Sequence, residues 1–168
     1  MTSAELLAHA AIGEGKFAQA FPSFGPERRG APVLAFARID EKQIFMREQV
    51  YEPDVVIVLD EGLMSIVNVE EGVRDDGVVI LNTKLGLDEA KKKYKLSHRL
   101  CVVDATSIAL EILKRPITNT TMLGAMIRAT GAIDLESIRE PLKQRFGKIA
   151  SRNFEVMQAA FKKALLEE

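Results

Sequence analysis

Residues 54–60 read DVVIVLD, an apolar run that follows Pro53 and has an acidic residue at each end. A strand with one solvated face alternates apolar and polar residues, whereas a parallel strand that is buried on both faces is apolar throughout. We therefore interpret residues 54–60 as a strand inside a parallel sheet.

Two further segments repeat this pattern, and each is followed by a helical stretch. GVVILN (77–82) precedes LDEAKKKYK (87–95), and RLCVVDA (99–105) precedes TSIALEILKR (106–115). Strands that alternate with helices are joined by crossovers, which make neighbouring strands parallel and cover the sheet with helices. The predicted fold class is α/β, a three-layer α/β/α sandwich with a largely parallel (mixed) sheet and a helical C-terminal region.

The segments that flank this repeat predict a helix, a pair of strands and a run of C-terminal helices. SAELLAHAAI (3–12) predicts a helix, KFAQAF (16–21) a short strand, and APVLAFARID (31–40) a strand that can pair with KQIFM (42–46) through a turn. From residue 119 onward the spacing of apolar residues predicts helices only. Because no linker or repeat interrupts the 168 residues, we expect residues 1–168 to form a single domain.

Composition argues against several classes of function. The net charge is −1 and tryptophan is absent, which does not suit a nucleic-acid-binding protein. No apolar run approaches the ~20 residues that span a bilayer, so we expect no membrane insertion. The N-terminal segment lacks a basic region, so we expect a cytoplasmic protein without a signal peptide. The chain has one cysteine, whereas an iron–sulfur cluster needs four thiolates.

Polar clusters follow all three apolar strands, at the edge where parallel α/β sheets bind ligands. They are Asp60-Glu61-Gly62, Asn82-Thr83-Lys84 and Asp104-Ala105-Thr106. Asp, Asn and Thr are also the residues that cap helices and form strand-to-helix turns. Two interpretations are therefore open, namely turns and caps, or an edge that contacts a ligand or partner.

Candidate catalytic groups are few. His9 and His98 have neither metal-ligand spacing nor a nucleophile motif beside them, and Cys101 lies within an apolar strand. The sequence contains no P-loop and no G-x-G-x-x-G motif. We therefore assign no catalytic residue and no metal ligand to this chain.

A rigid basic loop, FPSFGPERRGAP, spans residues 21–32. Its prolines exclude a regular helix, and its glycines allow close approach of the backbone. The two arginines offer planar donors that suit a carboxylate of another subunit or a phosphate group. A pair between the glutamate and one arginine is the third interpretation, worth ~0–1 kcal/mol at a surface. The candidate contact residues of this loop are Gly25, Glu27, Arg28, Arg29 and Gly30.

This loop and several later segments resemble a known family, the gamma subunits of 2-oxoacid:ferredoxin oxidoreductases. The segments are AFPSFGPERRGAPVLAFARID, QVYEPDVVIVLDEGL, VVILNT, VVDATSIALEIL and PITNTTMLGAMIRATG. The resemblance spans nearly the whole chain, and the motifs F-G-x-E-R-R-G-A-P and Y-E-P-D are long and specific. The pattern is most similar to the pyruvate and 2-oxoisovalerate enzymes (the pyruvate synthase family), and Arg28 favours this branch.

The resemblance implies a multi-subunit oxidoreductase in which thiamine diphosphate attacks the 2-oxoacid and CO2 leaves. Electrons then pass through [4Fe-4S] clusters to ferredoxin, and coenzyme A takes the acyl group. It implies that this chain is inactive alone, binds none of these cofactors by itself, and has alpha, beta and ferredoxin-like delta subunits as partners. Its expected share is architecture and a contribution to the coenzyme A site. Besides the loop residues, the candidates for coenzyme A or interface contacts are Asn82, Thr106 and Asn119.

In the family that the chain resembles, members usually begin with a strand and a G-R-G-G-Q-G loop before the helix that here reads TSAELLA. This sequence begins at Met1, where that loop should end, and we expect a shortened chain or a misassigned start codon. The alternative function is a free-standing nucleotide-binding or regulatory module without catalysis. It would use the strand ends near Asp60, Asn82 and Asp104.

Overall fold

The computed structural model of the chain describes residues 2–23 and 32–168. The α-helices of this part are α1 (Thr2–Gly13), α2 (Leu87–Tyr94), α3 (Ala105–Leu113), α4 (Asn119–Thr130), α5 (Arg139–Phe146) and α6 (Ala150–Lys163). The strands are β1 (Phe17–Pro22), β2 (Ala35–Asp40), β3 (Val55–Val58), β4 (Val78–Asn82), β5 (Arg99–Val103) and β6 (Leu165–Leu166). Short 3-10 helices lie at Glu61–Ser65, Leu135–Ile138 and Gly147–Ile149.

The larger sheet has the strand order β3-β4-β5-β6. Strands β3, β4 and β5 are parallel, and β6 is antiparallel to β5. All residues of β4 are buried, as are all residues of β5 except Arg99. The apolar runs in the sequence predict these three strands. A strand covered on both faces has no position for a solvated side chain, so its sequence is apolar throughout.

Helices cover both faces of this sheet, which confirms the predicted three-layer α/β/α architecture. The larger core lies on the face of Ile80 and Cys101, where α1, α3, α4, α5 and α6 contribute buried side chains. On the opposite face Leu81 and Val102 pack against Ala90 of α2. The two sets of strand residues alternate, as the period of two of a strand requires. None of the described helices combines the length and apolar character that crossing a membrane requires.

Helices α4 and α6 lie side by side in the larger core. The buried hydroxyl of Thr120 donates to Asn153 Oδ1 over 3.0 Å. One turn further along both helices, Gly124 faces the backbone of Met157. Both contacts join residues 33 apart in sequence, so the two helices run parallel and in register. The small glycine lets the two backbones approach closely.

Strands β1 and β2 form a separate antiparallel pair in which Phe17 is opposite Asp40. Ala18 and Ile39 lie on the face of this hairpin that packs against the larger core. The other face carries Phe21 and Phe36, whose ring centroids are 5.5 Å apart.

Two sequence predictions are wrong. Residues 42–46 form no strand, because β2 takes β1 as its partner along a six-residue ladder. The last residues of the chain are not helical, since α6 ends at Lys163 and Ala164 is extended (φ −62°, ψ 129°). Leu165 and Leu166 then pair with β5, which supplies hydrogen-bond partners along a strand edge that would otherwise be unpaired.

The contact between Gly124 and Met157 generates a prediction. A methyl group added at Gly124 would overlap the carbonyl oxygen of Met157 and lie 2.8 Å from its carbonyl carbon. Backbone atoms cannot rotate away, so we expect Gly124→Ala to lower the free energy of unfolding by about 1–3 kcal/mol in urea denaturation. The control is Gly13→Ala, where no heavy atom lies within 4 Å and stability should stay level or rise by about 0.5–1 kcal/mol. Equal stability of the two variants would contradict the close packing.

Candidate functional site

Asn82 is the centre of the edge formed by the carboxyl ends of the parallel strands. Its Nδ2 donates to the Leu59 carbonyl over 3.0 Å and to Thr106 Oγ1 over 2.9 Å. Its Oδ1 accepts from the N–H groups of Ala105 at 2.9 Å and Thr106 at 3.3 Å. The side chain is buried, and both of its polar atoms are engaged within the fold. Asn82 therefore joins the end of β4 to the residue after β3 and to the start of α3.

The acidic residues at this edge cap helices. Asp60 Oδ1 accepts from Gly62 N–H at 2.8 Å and begins the 3-10 helix after β3. Asp104 Oδ1 accepts from Ser107 N–H at 2.9 Å and begins α3. Of the two roles that the sequence leaves open for these carboxylates, the structure shows capping.

A small open cleft of about 270 Å³ lies beside the Asp104 cap. Two cations, Lys84 and Lys163, and two carboxylates, Asp104 and Glu111, line it together with Thr83 and Ser107. Pockets that enclose a drug-sized ligand are about 300–1,000 Å³ and largely closed, so this cleft suits at most a fragment of a large cofactor. Its balanced charge gives no preference for a polyphosphate.

The structure separates Asn119 from the other candidates. Thr120, the next residue, contacts Asn153 near the start of α6, and Ser3 Oγ donates to the Asn119 carbonyl at 3.1 Å. The cleft, by contrast, is lined by Lys163 at the end of α6. Lys163 is ten residues further along α6 than Asn153, a rise of about 15 Å. Asn82 and Thr106 therefore form one group, and Asn119 lies at the other end of the helical layer.

The remaining candidates, Gly25, Glu27, Arg28, Arg29 and Gly30, lie outside the described residues. Their assignment as coenzyme A or interface contacts stays a prediction.

Two polar contacts around the smaller core were not predicted from the sequence. Glu61 accepts from the Tyr94 hydroxyl and pairs with Lys93 at 3.2 Å. The hydrogen bond from Tyr94, aided by Lys93, lowers the pKa of Glu61. No sequence motif indicates this contact, because its partners are more than 30 residues apart.

The second contact joins the loop before β4 to the start of β5. Glu70 Oε1 accepts from the N–H groups of Ser97 and His98 at 2.9 and 2.7 Å, and lies 2.8 Å from His98 Nδ1. Burial raises the pKa of Glu70, but these hydrogen bonds outweigh it and hold the pKa below its ordinary value. His98 is therefore a partner of Glu70 in a structural contact rather than an isolated imidazole.

The described part of the chain does not bring together side chains that could bind a metal ion. Residues 2–23 and 32–168 contain no group of three or more His, Cys, Asp or Glu side chains that could hold a metal ion. Cys101 is buried in β5, and burial raises the pKa of its thiol to about 11. The thiolate is the form that binds metals and attacks substrates, and near neutral pH this buried thiol stays protonated and unreactive.

A largely parallel sheet with helices on both faces and a polar edge at its strand ends defines a three-layer α/β/α protein. Among such proteins the chain belongs to the pyruvate ferredoxin/flavodoxin oxidoreductase family, whose sequence profile matches residues 1–163.

Individual relatives cover almost the full chain. It is 51% identical over 170 residues to the pyruvate/ketoisovalerate oxidoreductases common subunit gamma of Thermococcus kodakarensis, covering 100% of this chain and 92% of the relative. It is 49% identical over 164 residues to pyruvate synthase subunit PorC of Methanothermobacter marburgensis, covering 97% of this chain and 89% of the relative.

Solved structures share the fold. The crystal structure of pyruvate oxidoreductase subunit PORC from Thermotoga maritima superimposes with a TM-score of 0.85 at 37% identity, over 99% of this chain and 90% of that one. A chain of 2-oxoglutarate:ferredoxin oxidoreductase from Magnetococcus marinus has a TM-score of 0.74 at 16% identity. There the match covers 96% of this chain but 28% of that chain, so the same fold is one part of a longer polypeptide.

The hydrogen bonds of Asn82 predict that removing its side chain destabilises the fold. Asn82→Ala leaves the buried N–H of Ala105, the N–H and hydroxyl of Thr106 and the Leu59 carbonyl without their partner, so we expect the free energy of unfolding to fall by about 2–3 kcal/mol. The control is Asn68→Ala, an exposed residue whose side chain accepts one hydrogen bond from Glu70 N–H, with an expected loss below about 1 kcal/mol. Urea denaturation of the two variants measures both. Equal losses would show that Asn82 does not hold the edge together.

Proposed function

We propose that this chain is the gamma subunit of a 2-oxoacid:ferredoxin oxidoreductase. The complex would convert pyruvate or a branched-chain 2-oxoacid, with coenzyme A, to acyl-CoA and CO2, and pass two electrons to ferredoxin. The observation that carries the proposal is the 51% identity to a relative named as a common gamma subunit of pyruvate/ketoisovalerate oxidoreductases, over 92% of that relative. The superposition on PORC of Thermotoga maritima supports the same role.

The chain's own chemistry supports a division of labour. A [4Fe-4S] cluster needs four thiolates, and the sequence has a single cysteine whose thiol is buried. The clusters therefore do not fit this chain, and we assign them, with thiamine diphosphate, to the alpha, beta and ferredoxin-like delta subunits. Thiamine diphosphate supplies carbanion stabilisation when bound there.

Within such a complex the contribution of this chain would be architecture and a wall of the coenzyme A site. We propose that Arg28 and Arg29 contact either the phosphates of coenzyme A or a carboxylate of another subunit, since guanidinium groups bind both ions with paired donors. Asn82 and Thr106 would act indirectly, because their bonds fix the strand ends rather than reach outward. Asn119, at the other end of the helical layer, would contact either coenzyme A or another subunit.

Co-expression with the other subunits tests the proposed role. We expect the chain to co-purify with them and the complex to oxidise a 2-oxoacid, whereas the chain alone should be inactive on every 2-oxoacid. Native mass spectrometry and acceptor-reduction assays measure the two results. Recovery of the chain as an active monomer without clusters would refute the proposal, as would a fully active complex that lacks it.

The loop makes a finer prediction in that complex. If Arg28 or Arg29 binds the phosphates of coenzyme A, alanine at that position removes a charge-assisted hydrogen bond and should raise the apparent KM for coenzyme A roughly ten- to a hundredfold. Reduction of an artificial acceptor by the 2-oxoacid in the first half-reaction should be nearly unchanged. The matched control is Arg152→Ala, an exposed arginine on α6.

Other outcomes separate the alternatives. Weaker assembly with a parallel loss of all activities would indicate an interface anchor instead. Changes of less than about twofold in both assembly and KM would leave only a surface charge pair with Glu27.

A further inference from the structure

After β2 the chain crosses one face of the hairpin as a segment that is neither helix nor strand, residues 44–51, which we call the strap. Gln19 Nε2 donates to the Ile44 carbonyl at 3.2 Å, and Arg38 Nη2 donates to the Gln49 carbonyl at 3.0 Å. Gln19 and Arg38 are opposite each other in the ladder, so their side chains share one face of the hairpin. The strap therefore lies on the face that points away from the larger core.

The strap adds little burial of its own. Phe45, Met46 and Tyr51 are 79%, 64% and 70% exposed, and Val33 and Leu34 before β2 are 89% and 56% exposed. The two segments adjoin, because Ser23 N–H donates to the Leu34 carbonyl at 3.0 Å and Ser23 Oγ accepts from Gln49 Nε2 at 3.3 Å. Large apolar side chains on these two neighbouring segments are therefore exposed to solvent.

The size of this apolar face is that of a protein interface. Its five side chains expose roughly 700 Å², against the ~800 Å² that each partner contributes to a standard protein–protein interface. The largest apolar patch on a typical monomer is about 300–600 Å². Lys42 and Glu52 form a charged rim of both signs at the two ends of the strap, and Arg47 and Glu48 lie within it. Apolar side chains with a polar rim are the arrangement found in protein interfaces.

We propose that the strap face docks an apolar surface of another subunit of the oxidoreductase, with Phe45 and Met46 as its anchors. This inference rests on the proposed function, which supplies the hetero-oligomer. A different protein is favoured over a second copy because the same fold is built into a longer chain in the Magnetococcus marinus enzyme, next to other protein parts. The mixed charge of the rim suits protein rather than nucleic acid or an anionic membrane.

Methionine oxidation provides a direct test. In the isolated chain, dilute peroxide should convert the exposed Met46 to the sulfoxide readily. In the purified complex we expect this rate to fall at least tenfold, measured by peptide mass spectrometry. Met64, which is half-buried outside the strap, serves as the internal reference. An unchanged rate for Met46 in the complex would overturn the proposal.

Substitution provides the second test. Phe45→Ser combined with Met46→Ser should reduce recovery of the complex at least tenfold in co-purification at fixed expression, because anchor residues dominate interface affinity. The control is Ile66→Ser, which is 67% exposed outside the strap and should change recovery less than twofold. Circular dichroism and thermal unfolding of the isolated variants should match those of the unchanged chain, since the substituted side chains are exposed.

The two failures are distinguishable. If the unchanged chain does not assemble with the other subunits, the proposed function fails and this inference with it. If the unchanged chain assembles and the strap variant assembles equally well, the strap inference alone is overturned. Protection of Met46 in the isolated chain that grows with concentration would assign the face to a second copy and also overturn it.

Discussion

A single amide side chain, that of Asn82, ties together the ends of three neighbouring strands. It binds the residue after β3 through one carbonyl and the start of α3, directly after β5, through two N–H groups. The backbone ladder ends at this point, so these side-chain bonds continue the connection between strands where the chain turns into helices. The positions of the polar groups at this edge are therefore fixed by hydrogen bonds within the fold.

The parallel strands could be predicted because burial on both faces leaves a direct record in the sequence, as in DVVIVLD and GVVILN. The strand that pairs with β2 could not be predicted in this way. An alternating segment shows that one face is buried but does not say which strand lies beside it, and both Phe17–Pro22 and residues 42–46 were compatible. Strand β6 was missed for a related reason, since two leucines after an amphipathic helix continue its pattern until the edge of β5 offers hydrogen bonds.

The site was less predictable than the fold. Asp60, Asn82 and Asp104 were identified as residues of one edge, and the structure places all three there, but sequence alone cannot separate a capping carboxylate from a ligand-binding one. The position of Asn119 depends on the parallel packing of α4 and α6, a contact between distant segments. The exposure of the strap was equally hidden, because the apolar residues of KQIFM (42–46) are also compatible with a strand paired with β2.

The position of Cys101 has a consequence for how the molecule can be observed. Its thiol lies in β5 between β4 and β6, and burial raises the pKa of the thiol to about 11. An alkylating reagent therefore meets a reactive sulfur only when the sheet opens locally. Since the chain has no other cysteine, each labelling event reports the same opening. In the free chain the sequence thus contains its own probe of breathing motions, and no substitution is needed to introduce one.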